Sequence, residues 1–353
     1  LPAFYQDFQG RRNRDGEYTS ATRDVARILE EFKAEDVDGV VLDLRHNGGG
    51  SLNEAVELTG LFIDTGPVVQ VREAAGRISV EGVRTPGVAW DGPLAVLVNR
   101  YSASASEIVA GAIQDYGRGL VIGETTFGKG TVQNLIDLDR MPAGEGKRYG
   151  SVKLTVAQFF LPGGSSTQNK GVVPDILFPV TVNADEIGES TYDNALPWSR
   201  LAPVPHTRYG DFAPILPRLT ALHDAQGAED HEFPTRRSSD LAERAKKYVV
   251  LNESERRAQR EREDRKRRER QEIRRELGLP LDPLAEDRDD GLFASERDVT
   301  VDTAREKAAE ERPDPQLDES AAILADAMRL LENDRQLSAQ VLPESTRPGS
   351  WAR

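Results

Sequence analysis

Short and almost wholly apolar runs recur through the first half of the chain: Val37–Leu44, Pro93–Asn99 (PLAVLVN) and Gly119–Gly123 (GLVIG). A strand that is apolar on both faces must be covered on both, which places such runs inside a sheet flanked by helices. Helical periods lie between them. Val25, Ile28, Leu29 and Phe32 fall at i, i+3, i+4 and i+7 and predict a helix over 22–35, and Asn53–Ile63 and Ala105–Tyr116 carry the same period. Strand–helix–strand repetition predicts an α/β fold with a mostly parallel sheet and flanking helices. Thr131–Leu138 and Val152–Leu161 read as further strands.

The texture changes near residue 180. A chain of 353 residues is long enough for two or three domains. Its 38% hydrophobic and 30% charged residues supply one sizeable core rather than a uniform one. Residues 181–340 read as a mainly helical region and 341–353 as a disordered tail. Asn252-Glu253-Ser254-Glu255 has the form of a capping box opening a long helix to about Leu277. That helix is almost all Arg and Glu, the pattern of a solvated helix laced with i,i+4 pairs. Pro280–Pro315 is an acidic, proline-bearing connector. Asp318–Glu332 is amphipathic, with Ile323, Leu324, Ala327, Leu330 and Leu331 on one face. Phe233–Leu241 (FPTRRSSDL) resembles the in-frame translation of a sequencing-adapter oligonucleotide, and no function is expected of it. The chain opens on Leu1, already inside a domain-like pattern, so its natural N-terminus is expected upstream.

Composition excludes several classes. Sixty acidic residues against 46 basic ones give a net charge of −14, which argues against nucleic acid as a partner. No apolar stretch approaches the roughly 18 residues of a membrane span. The absence of cysteine removes disulfides, zinc thiolates and thiol catalysis.

Three clusters could carry chemistry. Asp43-Leu44-Arg45-His46-Asn47-Gly48-Gly49-Gly50 ends a strand, and its glycines allow a sharp turn and a nest of bare N–H groups. Tyr101-Ser102-Ala103-Ser104-Ala105-Ser106-Glu107 lies between a strand and a helix. A serine there faces the positive end of the helix dipole, where an oxyanion is favoured. Ser104-Ala105-Ser106-Glu107 is equally a plain capping box, and the two readings are compatible. The third cluster is Gly123-Glu124-Thr125-Thr126-Phe127-Gly128-Lys129-Gly130-Thr131. It approaches the phosphate loop G-x-x-x-x-G-K-S/T, but Gly130 stands where a hydroxyl would contact magnesium, and a strand pattern follows instead of a helix. A nucleotide-binding loop at Gly123–Thr131 is therefore a minor alternative. Lys129, between glycines and beside Phe127, can instead be drawn into a dry site. Desolvation lowers a lysine's pKa, and the neutral amine can take a proton from a serine hydroxyl. Of the four histidines only His46 lies near these clusters, as an alternative base. No histidine pair has metal-ligand spacing.

Together these stretches resemble the tail-specific, or C-terminal processing, serine peptidases of family S41. Val40–Gly50 (VVLDLRHNGGG), Tyr101–Glu107 (YSASASE), Gly123–Gln133 (GETTFGKGTVQ) and Gly171–Asp175 (GVVPD) match in order and spacing. Asn194-Ala195-Leu196-Pro197-Trp198 and Pro313–Leu331 match the helical C-terminal region of the longer periplasmic members. The resemblance implies a ClpP/crotonase-like peptidase core over 1–180. It implies Ser104 as nucleophile, Lys129 as general base, Gln133 as the residue orienting the lysine, and a supporting role for Asp115. Glu107 and Thr126 match further supporting positions. Ala105, Gly49 and Gly50 would furnish the oxyanion hole through their backbone N–H groups. No cofactor or metal is implied. Substrates would be proteins with unstructured, apolar C-terminal tails, with a lipoprotein adaptor and cell-wall hydrolases as possible partners and the periplasm as location. The family's PDZ domain has no counterpart here and is expected upstream. A second reading is a binding or scaffold module, inactive without that domain.

Overall fold

The computed structural model describes residues 1–13, 18–140, 149–179, 186–229, 252–276 and 313–342, with positions 278, 279, 281, 282, 303 and 307. Two compact units are formed, Leu1–Leu222 with Glu319–Arg353, and His223–Asp318. The helices and strands run α1 (Phe8–Asn13), α2 (Ala21–Ala34), β1 (Val40–Asp43), α3 (Leu52–Thr59), β2 (Gly66–Glu73), β3 (Ile78–Val83), β4 (Leu94–Val98), α4 (Ala105–Asp115), β5 (Leu120–Gly123), β6 (Thr131–Asp137), β7 (Ser151–Phe160) and β8 (Ile176–Leu177). Helices α5 (Leu216–Glu229), α6 (Glu253–Glu276), α7 (Pro315–Asn333) and α8 (Arg335–Val341) complete the described elements.

The apolar runs become one parallel sheet in the order β1-β4-β5-β8. β4 is buried along its whole length, as its sequence demands. Parallel neighbours need a crossover, and α4 provides it between β4 and β5. Every residue of α4 from Ala105 to Ile113 is buried, so this helix is core on all sides. A second sheet, β3-β2-β7-β6, is antiparallel throughout. Sequence periodicity finds β6 and β7 but not the β2–β3 hairpin. Pro67 and Gly82 interrupt its pattern, and β3 has no buried residue to enforce alternation.

Ile323, Leu324, Ala327 and Leu331 of α7 are buried, while Leu330 is half-buried at the margin of that face. In the second unit, the Asn252 side chain accepts the Ser254 and Glu255 N–H groups at 3.0 and 3.3 Å and so caps α6. An i,i+4 pair, Arg257–Glu253, follows at 2.8 Å. Residues 233–241 lie outside the described residues, as do most of 280–315 and all of 343–353; Val341 closes α8 and is buried. Among the described residues no helix is long and apolar enough to cross a membrane.

Candidate active site

Parallel strands end on the same edge of their sheet, and ligands of α/β folds gather at the carboxyl edge. The three sequence clusters leave β1, β4 and β5 at that edge, so the topology alone brings them together.

The turn from β4 to α4 separates its three serines by role. Ser102 is buried, and its hydroxyl donates to the Leu44 carbonyl at 2.8 Å. Ser106 is buried as well, and donates to the Asn47 carbonyl at 2.8 Å. Both hydroxyls clamp this turn to the glycine turn after β1. Ser104 lies between them, half-buried, at the N-cap of α4, and its hydroxyl donates to none of the described residues. Its backbone has φ 58° and ψ −110°. Non-glycine residues seldom adopt a positive φ, and holding one there costs about 1–3 kcal/mol. The clamps on either side sustain that strain, which turns Ser104 out of the helix line.

The glycine turn lies against this serine. Gly49 has φ +103°, and a Cβ there would come 2.9 Å from the Ser104 Cβ and 3.1 Å from the Ala105 nitrogen. Gly50 has φ +147°, and its Cβ would meet the Phe4 carbonyl oxygen at 2.3 Å. The expected oxyanion donors differ in state. The Gly49 N–H donates to Asn47 Oδ1 at 2.9 Å. Among the described residues nothing accepts the Ala105 or Gly50 N–H. Asn47 is thus the organiser of this turn. It lies in the quoted motif, yet sequence gave no reason to single it out.

Glu107 joins the second cluster to the third. It is fully buried. Oε2 accepts the Ser104 N–H at 2.8 Å and the Lys129 N–H at 2.9 Å. Oε1 accepts the Thr126 hydroxyl at 2.6 Å and the Gly128 N–H at 2.8 Å. The Ser104 and Lys129 nitrogens are therefore no farther apart than these two bonds laid end to end. Burial pushes the Glu107 carboxyl up to about 7, although all four hydrogen bonds favour its ionised form. Thr126 Oγ1 also accepts the Val172 N–H at 2.7 Å, which ties in the fourth matching stretch. Thr167 and Gln168 finish the loop, donating to the Lys129 carbonyl at 3.0 Å and accepting the Gly130 N–H at 2.9 Å. Neither was visible as a site residue in the sequence, because loop threonines and glutamines are common.

The Lys129 ammonium donates to Gln133 Oε1 at 3.3 Å. Its pKa is lowered, first by burial and then by the nearby charge of Lys153, against the opposing pull of Glu189 and Glu107. Burial of this kind disfavours the charged form and makes the neutral amine easier to reach than in an ordinary lysine. The ammonium is hydrogen-bonded to Gln133 rather than to Ser104, and what Ser104 and Lys129 share in this structure is the Glu107 carboxylate, through their backbone N–H groups.

Other expectations fall elsewhere. Asp115 ends α4, an 11-residue helix that at about 1.5 Å per residue spans roughly 16 Å. Its carboxylate accepts the Gly163 N–H at 2.5 Å, and the structure does not bring it to Ser104. His46 is held by Asn99, which accepts its backbone N–H at 3.0 Å and meets Nε2 at 3.1 Å, and its ring stacks on Tyr101. It is not placed as a base. The Gly128 and Lys129 amides that a phosphate would need are turned onto the Glu107 carboxylate, and the loop enters strand β6. Both features speak against the nucleotide-loop alternative. Among the described residues no acidic or histidine cluster could hold a metal ion.

A strained serine at a helix N-terminus, facing a glycine turn and sharing a buried carboxylate with a lysine loop, defines the class of serine-type hydrolases on an α/β core. Comparisons with known proteins narrow the class. The profile of Peptidase family S41 matches residues 4–178, and that of the C-terminal domain of tail specific protease matches residues 182–329. The chain belongs to peptidase family S41, in its tail-specific, C-terminal processing branch. It is 40% identical to the tail-specific protease of Haemophilus influenzae over 259 residues, 70% of this chain and 36% of that protein. To the carboxy-terminal-processing protease of Bartonella bacilliformis it is 41% identical over 154 residues, 42% of this chain and 33% of that protein. A solved structure of the photosystem II D1 C-terminal processing protease superposes with a TM-score of 0.42 at 32% identity, over 53% of this chain and 43% of that one. The chain spans about a third of the length of these curated relatives.

Proposed function

We propose that this chain is a serine endopeptidase acting on proteins with accessible, apolar C-terminal tails through a Ser104–Lys129 dyad. The observation that carries the reading is the buried Glu107 carboxylate, which gathers the backbone N–H groups of Ser104, Gly128 and Lys129. Neutral Lys129 takes the Ser104 hydroxyl proton as Oγ attacks the peptide carbonyl. The oxyanion is received by the Ala105 N–H together with the glycine turn, Gly50 with its unengaged N–H and Gly49 once Asn47 releases it. The lysine then protonates the departing amine, and water cleaves the acyl-enzyme. Gln133 holds the lysine's rotamer, and Thr126 and Glu107 hold its loop. Asp115, at the far end of α4, supports the helix rather than the reacting atoms.

Family membership further supports a periplasmic location, a lipoprotein adaptor and cell-wall hydrolases among the partners. Fractionation of the native host with an antibody tests the location; a cytoplasmic signal would reject it. The function itself is tested by digesting an unfolded reporter with an apolar tail, using this chain and Ser104→Ala in parallel. Cleavage by the unaltered chain alone is expected. Equal cleavage by both would refute the assignment, and cleavage by neither would favour an inactive binding module.

A further inference from the structure

The loop that carries Lys129 is held at every backbone group. From Thr126 to Gly130 each N–H and each carbonyl has a partner. One of these partners comes from farther along the chain: the Glu189 N–H donates to the Phe127 carbonyl at 3.0 Å. Glu189 lies in the stretch 182–329 that the profile of the C-terminal domain matches, and in the same compact unit as the loop. Its side chain makes a second hold. Gln168 Nε2 donates to Glu189 Oε1 at 3.2 Å, and Gln168 Oε1 accepts the Gly130 N–H at 2.9 Å. A carboxylate only accepts hydrogen bonds. It therefore draws the amide nitrogen of Gln168 toward itself and leaves the amide oxygen for Gly130. Glu189 thus reaches the residue after Lys129 and the residue two before it. The stretch is itself anchored. Arg100, buried two residues past β4, donates through Nε to the Ile187 carbonyl at 2.6 Å and through Nη1 to the Thr126 carbonyl at 2.8 Å. Asn169 Nδ2 donates to the Leu196 carbonyl at 3.0 Å, and Trp198 Nε1 to the Ser166 carbonyl at 2.8 Å. Residues 187–198 form a strap across loop 166–169, and that loop in turn holds the Gly128 carbonyl and the Gly130 N–H.

We infer that Glu189 is a positioning residue for the general base: with Gln168 it sets the loop that presents Lys129, so that a stretch of the C-terminal domain completes the active site. The inference deepens the Ser104–Lys129 reading and rests on it. Glu189 does not touch the reacting atoms. It acts through Gln168 and the Phe127 carbonyl, and through its charge. The charged groups that act on the Lys129 ammonium are Lys153 on β7, Glu107 on α4 and Glu189 on the strap. Lys153 opposes the ammonium, as burial does, while the two carboxylates favour it.

The test measures kcat and KM for the apolar-tailed reporter across pH, together with hydrogen exchange over residues 126–133 of the full chain. Glu189→Ala leaves the Gln168 amide without its acceptor. Its kcat should fall by about tenfold with KM little changed, the size of one lost charge-assisted hydrogen bond. Exchange over 126–133 should quicken. Glu189→Gln keeps an acceptor but removes the charge. The acidic limb of its kcat profile should move to lower pH, since the ammonium loses a neighbour that favoured it. A role in stability alone would not move that limb. Gln168→Glu sets two carboxylates face to face and should lower kcat by about tenfold or more. The double variant Gln168→Glu/Glu189→Gln restores a donor and an acceptor, and should recover kcat to within about threefold of the unaltered chain. Full kcat in Glu189→Ala, or a double variant no better than Gln168→Glu alone, would overturn the inference. If the unaltered chain cleaves nothing, exchange decides. Quickened exchange in Glu189→Ala would uphold the hold on the loop and reject the Ser104–Lys129 reading, whereas unchanged exchange would overturn the hold itself.

Discussion

Three serines in one short run have three hydrogen-bonding fates, and only Ser104 keeps a hydroxyl that clamps no carbonyl. Ser104→Ala should reduce cleavage by about three orders of magnitude or more with no loss of stability. Ser106→Ala should keep much of the activity but lose a buried hydrogen bond worth about 1 kcal/mol, read in denaturant titration. Lys129→Arg should be inactive, since a guanidinium does not become neutral to serve as base. The lowered lysine pKa sets the sign of the pH response. Protonation disables the base, so the rate of reporter cleavage should fall as pH drops through that lowered value. Glu107 gives a separate pH signature. With its carboxyl raised from 4.5 to about 7, the folded chain retains a proton there that the unfolded chain has released. Its contribution to stability therefore declines as pH rises across that window, by about 3 kcal/mol in all. Glu107→Gln should flatten this slope in thermal midpoints measured from pH 5 to pH 8, and an unchanged slope would place the titrating group elsewhere.

At the scale of elements, the site is a meeting of two turns and a loop on the carboxyl edge of β1, β4 and β5. Gly49→Ala should leave β1 and α3 formed but push on the Ser104 Cβ and the Ala103 carbonyl, both 2.9 Å from the added methyl. Cleavage should collapse while circular dichroism remains near that of the unaltered chain; full activity would show that the glycine turn does not face the serine. Much of this was legible in sequence. The apolar runs fixed the parallel strands, because burial on both faces leaves no polar positions to blur. The capping-box spacing foretold the contact between the Ser104 N–H and the Glu107 side chain, and the glycines of the first cluster foretold the turn. What sequence could not carry was partnership across the chain. Nothing local in Asn47, Thr167 or Gln168 says which carbonyl or N–H each will meet. For the same reason nothing local in Asp115 says what it supports: the 11 residues of α4 separate it from the Ser104 end of the helix, and its carboxylate accepts the Gly163 N–H. The β2–β3 hairpin escaped because its exposed strand needs no alternation.

For the whole molecule, helix α7 from Glu319 onward belongs to the same compact unit as the parallel sheet. Leu324 lies where a side chain on Gly39 would meet it at 3.1 Å, so the helix covers the entry to β1. Leu324→Ala should destabilise this unit by about 2–5 kcal/mol, measured by urea unfolding of the full chain. A negligible change would mean that α7 packs independently of the core. The segment Asp318–Glu332 was legible as an amphipathic helix, but its return to the first unit was not, because an apolar face does not name what covers it.

The central claim is that Ser104, activated by Lys129, is the reacting hydroxyl. The most direct measurement is to treat the chain with a fluorophosphonate over a range of pH and map the labelled residue by peptide mass spectrometry. A single adduct on Ser104 is expected, fading as pH falls and absent in Lys129→Arg. An adduct on Ser102 or Ser106, or labelling of Ser104 that persists in Lys129→Arg, would contradict it.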